Sequence, residues 1–381
     1  MRSRERWINT FLEKAVPGNS VRILKDGNVA FTAMFEAMER AQESINLEFY
    51  KIASDNTGWE FAHRLAEKSR QGCKVCMIYD AIGSLETGDG FFDYLRENRV
   101  KLLEFNPYTP FLTKHWGWFH RDHRKMLIVD GRTGFIGGIN LTDEYTDSYG
   151  NAVAWRDTDI AIEGPAVREL QRLFLSTWFS KGGEPMDTSS FFPQIEPRGA
   201  MALKILGSKE RKNRRIIRRD YITSIKHSRE YISIENAYFV PDRGIQRVLK
   251  NALKRGVSVC LILPAKSDIT AVQYASRKLY RRFLKWGARI FLWQGTVLHA
   301  KTAVIDDTWS TVGSFNIDRI SLLHNLEVNV AVMHEGFSKE MKALFDYDLK
   351  NCKELDYNEW KNRKFMEKLL EKMFFLIRYW L

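Results

Sequence analysis

Two copies of one motif constrain this chain more than any other feature. His123-Arg124-Lys125-Met126-Leu127-Ile128-Val129-Asp130 and His299-Ala300-Lys301-Thr302-Ala303-Val304-Ile305-Asp306 share the spacing His-x-Lys-x4-Asp. Each is followed by glycine and then asparagine, Gly137-Gly138-Ile139-Asn140 in the first and Gly313-Ser314-Phe315-Asn316 in the second. Histidines and asparagines are both offset by 176 residues, so the register holds over the whole motif.

The apolar, partly β-branched interiors Met126 to Val129 and Thr302 to Ile305 predict buried strands. Side chains at i and i+2 share a face of a strand, so His123 projects with Lys125 and His299 with Lys301. Asn140 and Asn316 can add neutral donors. Two such sets facing each other would surround one tetrahedral anion with two histidines, two lysines and two asparagines. That suits a phosphate diester, whose developing charge needs preorganised donors while one imidazole attacks and the other moves protons.

The rest of the chain repeats as well. Ile45 to Tyr50, a helical stretch with Trp59, Phe61, Ala62 and Leu65, and Val75 to Tyr79 form a β-α-β pattern, which predicts parallel strands under a covering helix. Ile232 to Glu235, Gly244 to Lys254 and Gly256 to Leu263 restate it, so the chain reads as an α/β duplication. The turn-rich stretch from Lys181 to Gly199, carrying Pro185, Pro193 and Pro197, divides it into halves 1–185 and 186–381. Since a site with two histidines needs both halves, these are expected to pack face to face.

Several carboxylates interrupt apolar strands. Glu48 and Glu235 hold equivalent positions and face either the site or the sheet edge. Glu327 lies 28 residues past His299, and, allowing one gap, Asp157 falls at the equivalent place in the first half, with Asp159 as its competitor. A carboxylate bonded to imidazole Nδ1–H would fix the tautomer and stabilise the imidazolium.

Composition narrows the partners. Lys and Arg number 59 against 47 Asp and Glu, a net charge of +12 that suits a polyanion, either nucleic acid or an anionic membrane surface. Cys73 and Cys76 form a C-x-x-C, but it lies in a predicted strand with no second pair to complete a zinc site, and this cysteine usage fits a reducing compartment. No secretory signal and no uncharged apolar run of membrane-spanning length is evident. Tyr108, Phe111, Trp116, Trp118 and Phe119, interleaved with Lys114, His115 and His120, can form an apolar lip beside the site or part of the core; both histidines read as loop residues. Arg211 to Arg219 is the densest basic run, a solvated helix face or a contact for lipid phosphates or nucleic acid. The C-terminal stretch, with Phe365, Met366, Leu369, Leu370, Met373, Phe374 and Ile377 at helical spacing, is either a docked helix or an interfacial one with basic flanks.

The paired His-x-Lys-x4-Asp motifs with their Gly-Gly/Ser-x-Asn sequels resemble the phospholipase D superfamily from about Val21 to about Met333. Within it, Phe135 to Asn140, Trp155-Arg156-Asp157-Thr158, Glu163-Gly164-Pro165, Tyr238 to Asp242, and Asn316 to Ser321 leading to Asn325-Leu326-Glu327 are similar to bacterial cardiolipin synthases, of the shorter type without N-terminal transmembrane helices. The resemblance implies a pseudo-twofold duplication of an α-β-α sandwich with mixed, mostly parallel sheets. It implies phosphatidyl transfer between two phosphatidylglycerols through a phosphatidyl-histidine, with no cofactor and no metal. His123 would attack and His299 would move protons, although the motif symmetry allows the reverse. Lys125, Lys301, Asn140, Asn316 and Ser314 would hold phosphoryl oxygens, and Asp157 and Glu327 would orient the imidazoles. Asp130 and Asp306 belong to the catalytic motif, but as strand-end residues they are expected to act as structural partners. Gly138 departs from the usual serine and removes one hydroxyl. The implied setting is peripheral, on the cytoplasmic face of a bacterial membrane, held through Phe374 to Leu381 and the basic surface, with no obligatory nucleic acid. Lipid hydrolysis, transfer to another alcohol, or nuclease action are the other reactions such a site could run.

Overall fold

The computed structural model describes residues 2–107, 120–150, 153–208 and 215–378. The first half comprises α1 (Arg2–Leu12), β1 (Val16–Leu24), α2 (Gly27–Arg40), β2 (Ser44–Phe49), α3 (Asn56–Arg70), β3 (Lys74–Asp80) and α4 (Asp89–Glu97). It continues with β4 (Lys101–Phe105), β5 (Lys125–Val129), β6 (Thr133–Gly137), β7 (Asp159–Glu163) and α5 (Val167–Ser180). The second half holds β8 (Met201–Gly207), α6 (Ile216–His227), β9 (Tyr231–Asn236), α7 (Arg243–Lys254), β10 (Ser258–Pro264), α8 (Thr270–Trp286) and β11 (Arg289–Trp293). Then follow β12 (Lys301–Ile305), β13 (Trp309–Gly313), α9 (Arg319–Leu323), β14 (Val328–Val332), α10 (Glu335–Leu349), β15 (Cys352–Glu354), α11 (Tyr357–Lys361) and α12 (Phe365–Leu376).

Local chemistry sets many of these boundaries. Asp26, Asp55 and Asp242 start α2, α3 and α7 by accepting from the amide three residues on, the side-chain cap that an otherwise orphaned first-turn N–H needs. Gly287, at φ 95°, ends α8 in the left-handed conformation that glycine adopts at no steric cost.

All the strands join one continuous sheet in the order β15-β11-β10-β9-β12-β13-β14-β8-β1-β7-β6-β5-β2-β3-β4. The two arms, β4-β3-β2-β5-β6-β7-β1 and β11-β10-β9-β12-β13-β14-β8, mirror each other and meet at the β1–β8 pair. One hydrophobic cluster draws on both arms, with Ile78, Met126, Ile136 and Ile162 from the first and Val304, Val312, Val328 and Val330 from the second. The sheet therefore doubles back so that its arms pack face to face. On the outer faces, α2, α3 and α4 cover the first arm over Phe31, Met34, Phe61 and Leu95. Helices α6, α7 and α8 cover the second over Ile225, Leu249 and Phe283.

One expectation about the sheet is corrected. The sheet is mixed, but only the β2–β3, β3–β4, β9–β10 and β10–β11 pairs are parallel; the other named pairs are antiparallel. The reason is local: β5–β6 and β12–β13 are hairpins joined by tight turns, and a tight turn can only return antiparallel. Val16 to Asn19 opens β1, because β8 offers it a partner and Gly18 (φ 85°) absorbs a bulge in the register.

Among the described residues, no helix is long and apolar enough to cross a membrane. The C-terminal α12 docks along α8, with Phe374 stacked on Tyr274 at 5.6 Å and Phe374 and Phe375 against the core. Those two rings are thus not available as the outward anchors expected of Phe374 to Leu381, and residues 379–381 lie outside the described residues.

Candidate functional site

The motif strands β5 and β12 lie inside their arms, β5 between β2 and β6 and β12 between β9 and β13, and every residue of both is buried. Just before each strand the backbone is stitched to the opposite half. His123 N–H donates to Leu326 O at 2.9 Å, and Leu326 N–H returns to Arg121 O at 2.9 Å. His299 N–H donates to Arg156 O at 2.7 Å, and Arg156 N–H returns to Val297 O at 2.9 Å. The residues so paired, Leu326 and Arg156, immediately precede Glu327 and Asp157, so each histidine comes beside a carboxylate of the other half.

The side chains follow. His123 Nδ1 lies 3.1 Å from Glu327 Oε2, and His299 Nδ1 lies 2.7 Å from Asp157 Oδ2. With each Nδ1–H assigned to a carboxylate, Nε2 is the nitrogen left to the cavity that both rings line. The Tyr145 hydroxyl is a further neighbour of His299 Nδ1, at 3.0 Å. Burial, against the pull of Glu327, brings the His123 pKa down to about 4, and burial with Lys301 also lowers that of His299. Although burial disfavours its charge, Asp157 is held below the usual carboxylate range by Lys301 and His299. Burial thus favours two neutral imidazoles, the state a nucleophile requires.

Lys125 and Lys301 are fully buried beneath the histidines. Lys125 Nζ donates to His123 O at 2.7 Å, and Lys301 Nζ contacts His299 O and lies 3.7 Å from Asp157 Oδ2. Burial brings the Lys125 amine down to about 7 and lowers that of Lys301. Asn140 and Asn316 both line the cavity. Asn140 Nδ2 donates to the Tyr145 hydroxyl at 3.1 Å, whereas Asn316 Oδ1 is buried without a hydrogen-bond partner among the described residues.

Ser314 departs from expectation. Its hydroxyl donates to Glu327 Oε2 at 2.5 Å and is fully buried, so it braces the carboxylate that holds His123 instead of meeting an anion. The first half shows why glycine replaces it. A Cβ at Gly138 would lie 2.3 Å from Asp157 Oδ2, so the shorter carboxylate needs the space that a serine would fill.

Although Asp130 and Asp306 belong to the catalytic motif, they take no part in the cavity. Five residues of strand carry each about 16 Å from its lysine. There, at φ 50° and 52°, they turn the hairpins and accept backbone amides, Asp130 from Gln42, Glu43 and Ser44, Asp306 from Arg229, Glu230 and Tyr231. An Asp306→Ala variant is expected to lose about 2 kcal/mol of stability in urea unfolding while the folded fraction keeps its kcat. A large loss of kcat in well-folded protein would return Asp306 to the site.

The other carboxylates sort plainly. Asp159 accepts from Ile139 N–H at 3.1 Å, and burial with the nearby Asp157 pushes its pKa up to about 8; it does not orient a histidine. Glu48 and Glu235 face neither the cavity nor a sheet edge. Glu48 pairs with buried Arg124 at 2.8 Å, and burial raises Glu235 to about 8 beside Asp348 and Arg156. The aromatic lip at residues 108–119 and Arg211 to Arg214 of the basic run lie outside the described residues. His120, the other loop histidine, donates its Nδ1–H to His324 O at 2.9 Å.

Reading the sequence missed much of the cavity wall. The space of about 480 Å3 is also lined by Tyr50, Arg121, Asp268 and the apolar Ile269, Val272 and Ile320. Tyr50 sits edge-on to His123 with ring centroids 5.0 Å apart, and Lys125 Nζ lies 5.1 Å from the same ring. Tyr238 approaches His299 and bonds Asp268 Oδ2 at 2.5 Å. Tyr50 had a usable signal: it follows β2 directly, and Phe49 pairs with Lys125.

A family profile described as "Cardiolipin synthase, PLD-like domain" matches residues 34–178 and 221–349. A cardiolipin synthase of Geobacillus thermodenitrificans is 32% identical over 354 residues, covering 92% of this chain and 70% of that protein. Cardiolipin synthase 2 of Staphylococcus epidermidis is 32% identical over 356 residues, covering 93% and 72%. Among solved structures, a phosphatidylserine synthase of Haemophilus influenzae superposes over 99% of this chain and 100% of its own with TM-score 0.76; at 14% identity, that likeness speaks to the fold.

Proposed function

The chain belongs to the phospholipase D-like cardiolipin synthase family, and from that premise we propose that it joins two phosphatidylglycerols through a phosphatidyl group carried on His123. It is an enzyme of the phosphatidyltransferase type. The observation that carries the mechanism is the pair of crossed histidine–carboxylate contacts around one cavity.

In the first half-reaction, His123 Nε2 attacks the phosphorus of one phosphatidylglycerol. The P–N bond forms, the P–O bond to the head-group glycerol breaks, and His299 gives that oxygen its proton. Burial lowers the His299 pKa, but the diester's negative charge raises it on binding, so the acid is charged when needed. Glu327 compensates the cationic imidazole formed at His123. Lys125, Lys301, Asn140 and Asn316 stabilise the phosphoryl oxygens, the lysines regaining charge as an anion replaces low-dielectric surroundings. In the second, His299 takes a proton from a head-group hydroxyl of another phosphatidylglycerol. That oxygen attacks phosphorus, the P–N bond breaks, and cardiolipin leaves with the net release of one glycerol.

The cavity's apolar rim at Ile269, Val272 and Ile320 supports a lipid substrate, since acyl chains need a path that water need not fill. The protein is expected to meet this substrate peripherally, at the cytoplasmic face of the bacterial membrane. Purified protein given phosphatidylglycerol vesicles in the presence of a chelator is expected to yield cardiolipin and glycerol in equal amounts. Phosphatidic acid alone would make it a hydrolase, and cleavage of DNA without lipid turnover would refute the proposal.

A further inference from the structure

A second cavity, of about 590 Å3, opens beneath the C-terminal end of α12, walled by Arg218, Arg243, Arg282, Arg319 and Arg378. Among the described residues its lining carries one carboxylate, Asp242, which is engaged by Arg218 at 2.6 Å and caps α7. Gathered like charges such as those of Arg243, Arg282 and Arg378 favour an added anion. Burial and the facing Arg319, Arg243 and Arg282 depress even the Arg378 guanidinium. Arg243 and Arg282 are exposed at the surface.

This cavity neighbours the catalytic one. Tyr238 lines the catalytic cavity and Val240 and Pro241 the arginine cavity; Asp318 and Ile320 line the first while Arg319 between them lines the second. The helix above buries a carboxylate and leaves an apolar stripe outside. Glu371 is buried, bonded to Arg363 at 2.5 Å and 3.4 Å from Arg277, while Glu367 holds Arg277 at 2.7 Å. The apolar stripe Phe365, Met366, Leu369, Met373 and Leu376 points outward, with Phe365 76% and Leu376 71% exposed. Since Arg277 meets Glu367 and Tyr274 meets Phe374, α12 runs antiparallel to α8. Its C-terminal end therefore leads toward Ile269, exposed at the rim of the catalytic cavity.

We propose that the arginine cavity holds the phosphate of an anionic glycerophospholipid, while the outward face of α12 lies on the bilayer and brings the catalytic rim to its surface. The occupant is a membrane lipid because cationic and apolar elements stand side by side, the pairing that an anionic head group above acyl chains requires. The proposal rests on the lipid-directed reading of the catalytic site and extends it to a binding site outside that cavity.

The test uses full-length protein with Arg243→Gln/Arg282→Gln and, separately, Leu369→Gln/Met373→Gln, all exposed positions. Flotation is measured with phosphatidylcholine vesicles with and without phosphatidylglycerol, and activity on phosphatidylglycerol dispersed in detergent. At roughly fivefold per cation, the arginine variant is expected to bind phosphatidylglycerol vesicles at least tenfold more weakly, with its detergent activity unchanged. The α12 variant is expected to weaken binding likewise. Unchanged vesicle binding in the arginine variant, with detergent activity intact, would overturn the proposal alone. Absent detergent activity in the wild type would overturn the catalytic reading instead. If inorganic phosphate abolishes flotation at the lipid's own concentration, or if α12 substitution halves the mass in solution, the face serves free phosphate or a second copy and the proposal fails.

Discussion

The His123→Ala variant is expected to lose phosphatidyl transfer by at least about 10^4-fold, and His299→Ala by a comparable factor. The size follows from the roles: without the first imidazole no P–N bond forms, and without the second neither departing nor attacking oxygen has a proton partner. Both rings line one cavity and are buried, so neither can stand in for the other, each being held by a different carboxylate. Mixing the two variants tests the arrangement more sharply than either alone. Because both histidines of a working site come from one chain, the mixture is expected to stay inactive. Restored activity would mean a site assembled between chains, and near wild-type activity in either variant would refute the shared cavity. Thermal unfolding of both variants serves as the control for folding.

Glu327→Gln is expected to reduce kcat/KM by about 10^3 to 10^4-fold, the scale seen when an orienting carboxylate becomes an amide that can hold the wrong tautomer. The glutamine keeps the volume and an acceptor for Ser314, which bonds this oxygen at 2.5 Å, so packing is preserved. Its distinguishing signature is in pH dependence. Glu327 raises the His123 pKa against the burial that brings it to about 4. Removing its charge lowers that pKa further, so the acid limb of kcat/KM is expected to move to lower pH. A residue that merely filled space would leave the limb in place, and an unmoved limb with full activity would sink the orienting role.

The crossing of these pairs explains how much of the site could be read from the chain. The i, i+2 projection of His123 with Lys125 and His299 with Lys301 is a property of any strand and needs no partner. So is the turn at Asp130 and Asp306, whose strand-end position already pointed away from the chemistry. The pairing of Glu327 with His123 spans 204 residues and that of Asp157 with His299 spans 142. No local period encodes which half a carboxylate serves; the backbone stitches at Leu326 and Arg156 decide it. The expected phosphate contact at Ser314 failed for the same reason, since the competing acceptor is visible only once β14 lies beside β13.

The same division holds at the C-terminus. Helical spacing of apolar residues from Phe365 onward establishes an amphipathic helix, but amphipathicity names two faces without saying which one docks. The buried ion pairs of Glu371 with Arg363 and Arg277, with Phe374 and Phe375 against the core, settle which face docks. By itself, then, the sequence determined a duplicated α/β chain with two phosphate-directed motifs, because repeats and periodicities are local and survive without tertiary contacts. Only the tertiary structure decided that each half sets a carboxylate against the other's histidine, and that α12 turns its apolar stripe outward. Both are choices among distant partners, made by which buried charges and hydrogen bonds can all be satisfied at once.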